Sequence, residues 1–185
     1  MCEFLAFKPV NEKKPVFGKI AVLDAAAFIH RADLSGFDKV YTTFGVIEEL
    51  QDDVSLWMFE AMKSSKKLEV ISPTEESIKK VGDATKKLGE NLNLSKTDIS
   101  VLALSLDLIA KHEDVVLLVD DYGVQNIASF MGIPFQPIRF PGIRERFKWG
   151  WKCESCGNTY SVKEEETCPE CGGTLKRYVK KRTTP

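Results

Sequence analysis

Two hydrophobic periods alternate along the chain. Val115-Val-Leu-Leu-Val119 is an unbroken apolar run stopped by the paired carboxylates Asp120 and Asp121, and Ile20-Ala-Val-Leu23 has the same form, stopped by Asp24. Apolar runs of this length fit strands buried on both faces, as in parallel sheets covered by helices. Asp38–Thr43, rich in β-branched and aromatic residues, predicts a third strand. Leu68–Ile71, ended by Ser72-Pro73, predicts a fourth, and Phe135–Phe140 a last one. The intervening segments carry helical spacing. A short helix is expected over Ala25–Arg31, and a long one from Gly45 that buries Val46, Ile47, Leu50, Val54, Trp57, Met58 and Ala61. A Lys/Glu-rich surface helix follows over 74–90. Ser95-Lys-Thr-Asp98 then reads as a capping sequence opening a helix that buries Ile99, Leu102, Ala103, Leu106 and Ile109. After a turn at Gly123, a final helix is expected from Gln125 up to Met131-Gly132. Parallel strands need helical crossovers, so the alternation predicts an α/β/α sandwich with a central, mostly parallel sheet. Ligands of such sheets collect outside the carboxyl ends of the strands, where Asp24, Asp120 and Asp121 sit.

Pro141-Gly142 ends the alternation and divides the chain. The expected organisation is a main domain over 1–140, a basic linker over 141–151, a small cysteine ribbon over 152–179 and a basic tail over 180–185. The charge follows this division. Residues 1–138 carry 15 Lys/Arg against 21 Asp/Glu, whereas residues 139–185 carry 11 against 6. An acidic body with a basic end suits a polyanionic partner bound at that end, or simply a soluble tail. No apolar stretch approaches the ~20 residues of a membrane span, and the N-terminus lacks the apolar core of a secretory signal. A cytoplasmic protein without a membrane partner is expected.

Four of the five cysteines form two C-x-x-C-G knuckles, Cys153/Cys156 and Cys168/Cys171, separated by 11 residues. The glycines let backbone amides turn toward the sulfurs, and four thiolates suit one structural Zn²⁺. A redox dithiol, or a rubredoxin-like iron site, is the competing reading. Cys2 is left over. Around the knuckles, Arg139, Arg144, Arg146, Lys148 and Lys152 interleave with Trp149 and Trp151, and Lys176 and Arg177 follow. Cations hold phosphates and aromatics stack unpaired bases, so these nine residues are the expected RNA-binding set. The tryptophans equally suit packing of the ribbon against the main domain.

Asp24, Asp98 and Asp121 can be argued onto one sheet edge, with Glu49 arriving from the helix after the Asp38–Thr43 strand. Crowded carboxylates need cations, and carboxylate oxygens suit Mg²⁺ or Mn²⁺, with Asp120 as a further ligand. Such a site hydrolyses phosphodiesters by activating water and stabilising the leaving oxygen. Each acid also has a plain role: Asp98 as a cap partner, Glu49 as solvated helix surface, Asp120-Asp121 as a turn. The segments V-L-D-A-A-A-F-I at Asp24, I-E-E-L-Q-D at Glu49, L-S-K-T-D-I-S at Asp98 and L-V-D-D-Y-G-V-Q-N at Asp121 resemble the PIN-domain ribonucleases. Phe44 departs from that pattern, standing where proline is common. The E-E-L-Q-D stretch, the D-D-Y-x-x-Q-N-x-A turn and a ribbon entered through K-W-G-W-K-C resemble the NIN-one-binding branch of that family, which acts in ribosome biogenesis. The resemblance implies a metal-dependent endoribonuclease with Asp24, Glu49, Asp98 and Asp121 as its catalytic acids. It also implies cleavage of small-subunit ribosomal RNA precursor at the 3′ end, leaving 5′-phosphate and 3′-hydroxyl. The implied partners are that RNA, the pre-ribosomal particle and other assembly factors, with no small-molecule substrate. A non-catalytic RNA-binding assembly factor is the alternative.

Overall fold

The computed structural model describes residues 19–89, 94–112, 114–139, 142, 145–161 and 165–183. Phe140 and Arg144, and the side chain of Arg146, lie outside the described part. In chain order the main domain contains β1 (Ile20–Leu23), α1 (Ala25–Ile29), β2 (Lys39–Thr42), α2 (Phe44–Glu49), α3 (Asp53–Ser64), β3 (Leu68–Val70), α4 (Glu75–Leu88), α5 (Lys96–Ile109), β4 (Val115–Leu118), α6 (Tyr122–Met131) and β5 (Phe135–Gln136). The five strands pair in the order β3-β2-β1-β4-β5, all parallel. All four residues of β1 and of β4 are buried, which is why neither run tolerates a polar residue. The chain winds outward from β1 to β3 and then crosses back to lay β4 on the other flank of β1. That reversal opens a crevice at the carboxyl ends of β1 and β4, the usual ligand position of doubly wound sheets. Among the described residues no helix is long and apolar enough to cross a membrane.

Two expectations for the main domain are corrected by the structure. The long helix from Gly45 is two helices, because Leu50 is extended (ψ 112°) and Asp52 caps α3, accepting from the Ser55 amide at 2.8 Å. The break changes which stripe faces inward. Ser55 and Phe59 are buried, whereas Val54, Trp57 and Ala61, expected in the core, are exposed. The last strand covers only Phe135–Gln136. The helix opened by Ser95 forms as expected, with a reciprocal cap: Asp98 N donates to Ser95 Oγ at 3.0 Å and Ser95 N to Asp98 Oδ2 at 2.8 Å. Farther along this helix, Asp107 accepts from the Thr74 amide (2.6 Å), the Thr74 hydroxyl (2.8 Å) and the Ser77 hydroxyl (2.7 Å), fastening the start of α4 onto α5.

The C-terminal part is an antiparallel three-stranded sheet of β6 (Arg146–Cys153), β7 (Thr159–Tyr160) and β8 (Leu175–Thr183), ordered β7-β6-β8. The segment expected as a linker is therefore mostly strand, and the expected tail continues β8 through Thr183. Pairing along almost the whole of β6 and β8 satisfies their backbone groups, which neither a linker nor a tail would do. The ribbon is docked on the main domain. The Asn126 side chain, on α6, exchanges two hydrogen bonds with the Phe147 backbone, each 2.8 Å. Trp149 packs against Gly89 at the end of α4, and Arg177 lies 4.0 Å over the Trp149 ring while donating to the Gly89 carbonyl at 3.3 Å.

Candidate active site and cysteine centre

The first residue beyond β1 is Asp24. It occupies the N-cap position of α1 without a side-chain bond to the helix's next turn, unlike Asp52 and Asp121 in the same position on their helices. Its backbone is fixed between strands, with its amide directed at the Leu118 carbonyl (3.3 Å). On the neighbouring strand, the Thr42 hydroxyl donates to the Leu23 carbonyl at 2.9 Å. Asp121 caps α6 through the Val124 amide at 2.9 Å, and Asp98 is held by its reciprocal bonds with Ser95. Glu49 ends α2 on the exposed side. A Cβ at Gly45 would come within 2.8 Å of Thr97 Oγ1, so this glycine lets the first turn of α2 lie against the first turn of α5.

The four acids lie within electrostatic reach of one another. Burial pushes the Asp24 carboxyl up to about 6, against a hydrogen bond from the Ala25 amide, and the charges of Asp98, Glu49 and Asp121 push it the same way. Asp98 is raised as well, first by burial, against its Ser95 bonds, and then by Asp121 and Glu49. The plain capping roles of Asp98 and Asp121 are thus real, and both residues also stand in this cluster. Beside it, Thr43 is buried and its Oγ1 has no partner. Among the described residues, no three carboxylates bring oxygens within 4.8 Å of one another. This donor set, carboxylates gathered at the strand ends with Asp24 and Asp98 raised in proton affinity, fits hard divalent ions that take one or two carboxylates each and keep waters.

Asp120 faces elsewhere. Its Oδ1 accepts from the amides of Ile138 (2.8 Å) and Arg139 (3.1 Å), and its Oδ2 is buried without a partner. It is not among the foremost influences on Asp24 or Asp98. Arg139, held by its backbone in this way, is exposed and places Nη1 3.3 Å and 3.2 Å from the two ring nitrogens of His30. The other expected RNA-binding residues divide. Lys148, Lys152 and Lys176 are exposed, Lys176 forming an ion pair with Glu154. Trp149 and Arg177 are instead engaged in docking the ribbon, and Trp151 packs into the ribbon's own small core with Cys153, Cys168 and Leu175. Tyr178 lies on the same sheet, its ring 3.0 Å from where a Cβ on Gly150 would stand. The alternation K-W-G-W-K is the signal of β6. Lys148, Gly150 and Lys152 share one face, and their cross-strand partners Lys181, Tyr178 and Lys176 share it with them.

The four cysteine sulfurs all lie within 4.8 Å of one another, with Cys153–Cys171 at 3.5 Å and Cys156–Cys168 at 3.7 Å. A tetrahedral ion with ~2.3 Å zinc–sulfur bonds sets its sulfurs about 3.8 Å apart, so the cluster fits such an ion. The two knuckles repeat the same geometry. Gly157 N donates to the Cys153 carbonyl (3.1 Å) and Gly172 N to the Cys168 carbonyl (2.8 Å), with left-handed φ of 77° and 71° that only glycine adopts easily. Backbone amides of Ser155, Cys156, Asn158, Glu170, Cys171 and Gly173 point at the sulfurs. The Tyr160 hydroxyl lies 3.1 Å from Cys168 Sγ, and its hydrogen bond is the foremost reason that this thiol is pushed down to about 6.

A parallel sheet reversing at β1/β4, with clustered acids in the reversal, is accompanied by a match of residues 21–108 to the family model "PIN domain of ribonuclease". The molecule is a PIN-domain ribonuclease with a C-terminal cysteine ribbon. The chain is 39% identical over 170 residues to the protein named endoribonuclease Nob1 of Methanocaldococcus jannaschii, covering 88% of this chain and 79% of that one. It is 36% identical over 156 residues to endoribonuclease Nob1 of Pyrococcus abyssi, covering 84% and 91%. Similarity extends to ribonuclease VapC1 of Thermoplasma acidophilum, 31% identical over 166 residues, covering 89% and 81%. With this coverage of the Nob1 proteins, the chain belongs to the Nob1 endoribonuclease family.

Proposed function

We propose that this chain cleaves small-subunit ribosomal RNA precursor at its 3′ end, using divalent ions held by Asp24, Glu49, Asp98 and Asp121. The observation that carries the reading is the raised proton affinity of Asp24, in a crevice where three other carboxylates add to the effect of its burial. Mg²⁺ or Mn²⁺ bound there supplies activation of water and neutralises charge on the leaving oxygen, giving 5′-phosphate and 3′-hydroxyl ends. The chain's own contribution is positional. Asp24 and Asp121 are fixed by the ends of adjacent strands, Asp98 by its cap, and Glu49 by a helix closely packed on α5. Zn²⁺ in the cysteine centre holds the ribbon fold. The lysine face around Tyr178 supplies phosphate contacts, with Arg139 adding one nearer the acids, and the precursor or its pre-ribosomal particle is the partner. The domain division that goes with this reading is a nuclease domain ending near residue 140 followed by the zinc ribbon.

The test is cleavage of a model RNA spanning the small-subunit 3′ end, with Mn²⁺, by the full chain and by Asp24→Asn. Cutting at one position by the unaltered chain alone is the expected result. Equal cutting by both removes this mechanism.

A further inference from the structure

Two large, exposed aromatic residues begin the helices that leave the two strands beside β1. Phe44 is 60% exposed and Tyr122 is 56% exposed, and neither belongs to the hydrophobic core. Their positions in the fold correspond. Phe44 is the first residue of α2, leaving β2, and Tyr122 is the first residue of α6, leaving β4. β2 and β4 are the two neighbours of β1, whose end carries Asp24. Two strand spacings separate the departure points, roughly 10 Å, with Asp24 between them.

The backbone under each aromatic is fixed by the site itself. Gly45, next to Phe44, is the residue whose close approach to Thr97 sets α2 against the turn that carries Asp98. Tyr122 follows Asp121, whose carboxylate caps the helix that Tyr122 begins. Burial is what makes apolar surface stabilising, and more than half of each residue's surface is open to solvent. Their chemistry suits the faces of unpaired bases, which stack on aromatic side chains and are covered within a duplex.

We infer that Phe44 and Tyr122 are stacking platforms for the two bases flanking the scissile phosphodiester, and that they select RNA that is unpaired on both sides of the cut. The inference rests on the nuclease reading, since it places the cut between the two rings. Trp57 is still more exposed, at 74%, but it lies within α3, one helix removed from the strands that flank β1.

The experiment uses the full chain with Mn²⁺, an unpaired RNA cut by the unaltered protein, and the same RNA annealed to its complement. Phe44→Ala and Tyr122→Ala are each expected to raise KM about 10-fold, as loss of one stacked base predicts, with kcat nearly unchanged. The preference for the unpaired over the annealed RNA should fall with it, while Phe44→Tyr and Tyr122→Phe retain unaltered behaviour. A binding arm reads stacking without cleavage. In the Asp24→Asn background, 2-aminopurine placed at successive positions should be quenched at two neighbouring nucleotides. One quench should be lost with Phe44→Ala and the other with Tyr122→Ala, at unchanged melting temperature. Cleavage with unchanged KM, or quenching indifferent to both alanines, overturns the inference and leaves the nuclease reading standing. Failure of the unaltered chain to cut any RNA overturns that reading, and the quenching pattern then still decides whether the rings stack bases.

Discussion

Asp24 carries a thermodynamic signature that separates its role from that of an ordinary helix cap. Its carboxyl titrates near 6 in the folded chain and near 3.8 when unfolded, so folding favours its protonated form. The stability contributed by that preference is fully present below about pH 4 and is lost as pH rises through 6. At neutral pH the ionised group costs about 3 kcal/mol. In EDTA, Asp24→Asn should therefore melt higher than the unaltered chain at pH 7, with the difference vanishing toward pH 4. Mg²⁺ or Mn²⁺ should raise the melting temperature of the unaltered chain and not of Asp24→Asn, since an ion bound only by the native state stabilises it by mass action. Thermal melts across pH, with and without the ion, measure both effects. A lower melting temperature for Asp24→Asn at pH 7 would mean that the carboxylate is stabilised by protein bonds and needs no cation. Asp120, one residue before Asp121, gives the opposite expectation. Its accepted bonds come from Ile138 and Arg139. Asp120→Ala should free that loop at a cost of about 1–3 kcal/mol and weaken RNA binding through Arg139. It should leave Mn²⁺ affinity unchanged, as followed by the electron paramagnetic resonance of free Mn²⁺. Loss of Mn²⁺ affinity would make Asp120 a ligand.

At the scale of elements, the strands were legible because burial on both faces leaves an unbroken apolar run, and β1 and β4 carry that run with the acids at its end. The cap of α5 was legible because Ser95 and Asp98 need only local sequence. The break between α2 and α3 was not, although Asp52 and Ser55 hold its chemistry. The apolar residues on either side of Leu50 fit one continuous helical stripe, and only the packing of α3 through Ser55 and Phe59 shows that the stripe is interrupted. The convergence of Glu49 with the other acids rests on Gly45 and Thr97, a meeting of distant segments that no local pattern encodes. β6 was missed for another reason. Its alternation K-W-G-W-K has the period of a strand, but charge and position beside Pro141-Gly142 read as a linker. Once the strand is recognised, one face carries Lys148 and Lys152 toward solvent and the other carries Trp149 and Trp151 inward. Replacing Lys148 and Lys152 together by Gln should weaken RNA binding at low salt. It should also lower the slope of log affinity against log salt by about 2, one for each phosphate that is no longer neutralised. Fluorescence anisotropy over a salt series measures the slope, and an unchanged slope would place the RNA on another surface.

For the whole molecule, the question is what keeps the ribbon registered on the nuclease domain. The ribbon's buried core is Cys153, Cys168 and Leu175, with Trp151 and Tyr160 partly buried against it. That is too little apolar surface to fold a unit of this size, so the metal proposed for the four cysteines would supply its folding energy. The docking contacts depend on it in turn. Asn126 binds the Phe147 backbone only while β6 is extended, and Arg177 reaches both Trp149 and Gly89 only while β8 is paired with β6. Gly89 is required twice, for its left-handed φ of 73° and because a Cβ there would stand 3.1 Å from the Trp149 carbonyl oxygen. Stripping the ion with a chelator should therefore expose amides of β6 and β8 to rapid hydrogen exchange and release Trp149 from α4, while β1 and β4 stay protected by a core that contains no ribbon residue. Gly89→Ala with the ion bound should do something different. The strands stay protected, but the ribbon moves off α4 at a cost of about 1 kcal/mol or more, and residues at the end of α4 exchange faster. Hydrogen exchange read by mass spectrometry separates the two outcomes. If removing the ion leaves β6 and β8 protected, the strands hold without it and the cysteines are not what folds the ribbon. The same helix α6 that accepts the ribbon through Asn126 begins at Asp121, so a ribbon held in register also fixes where its lysine face stands relative to the acids.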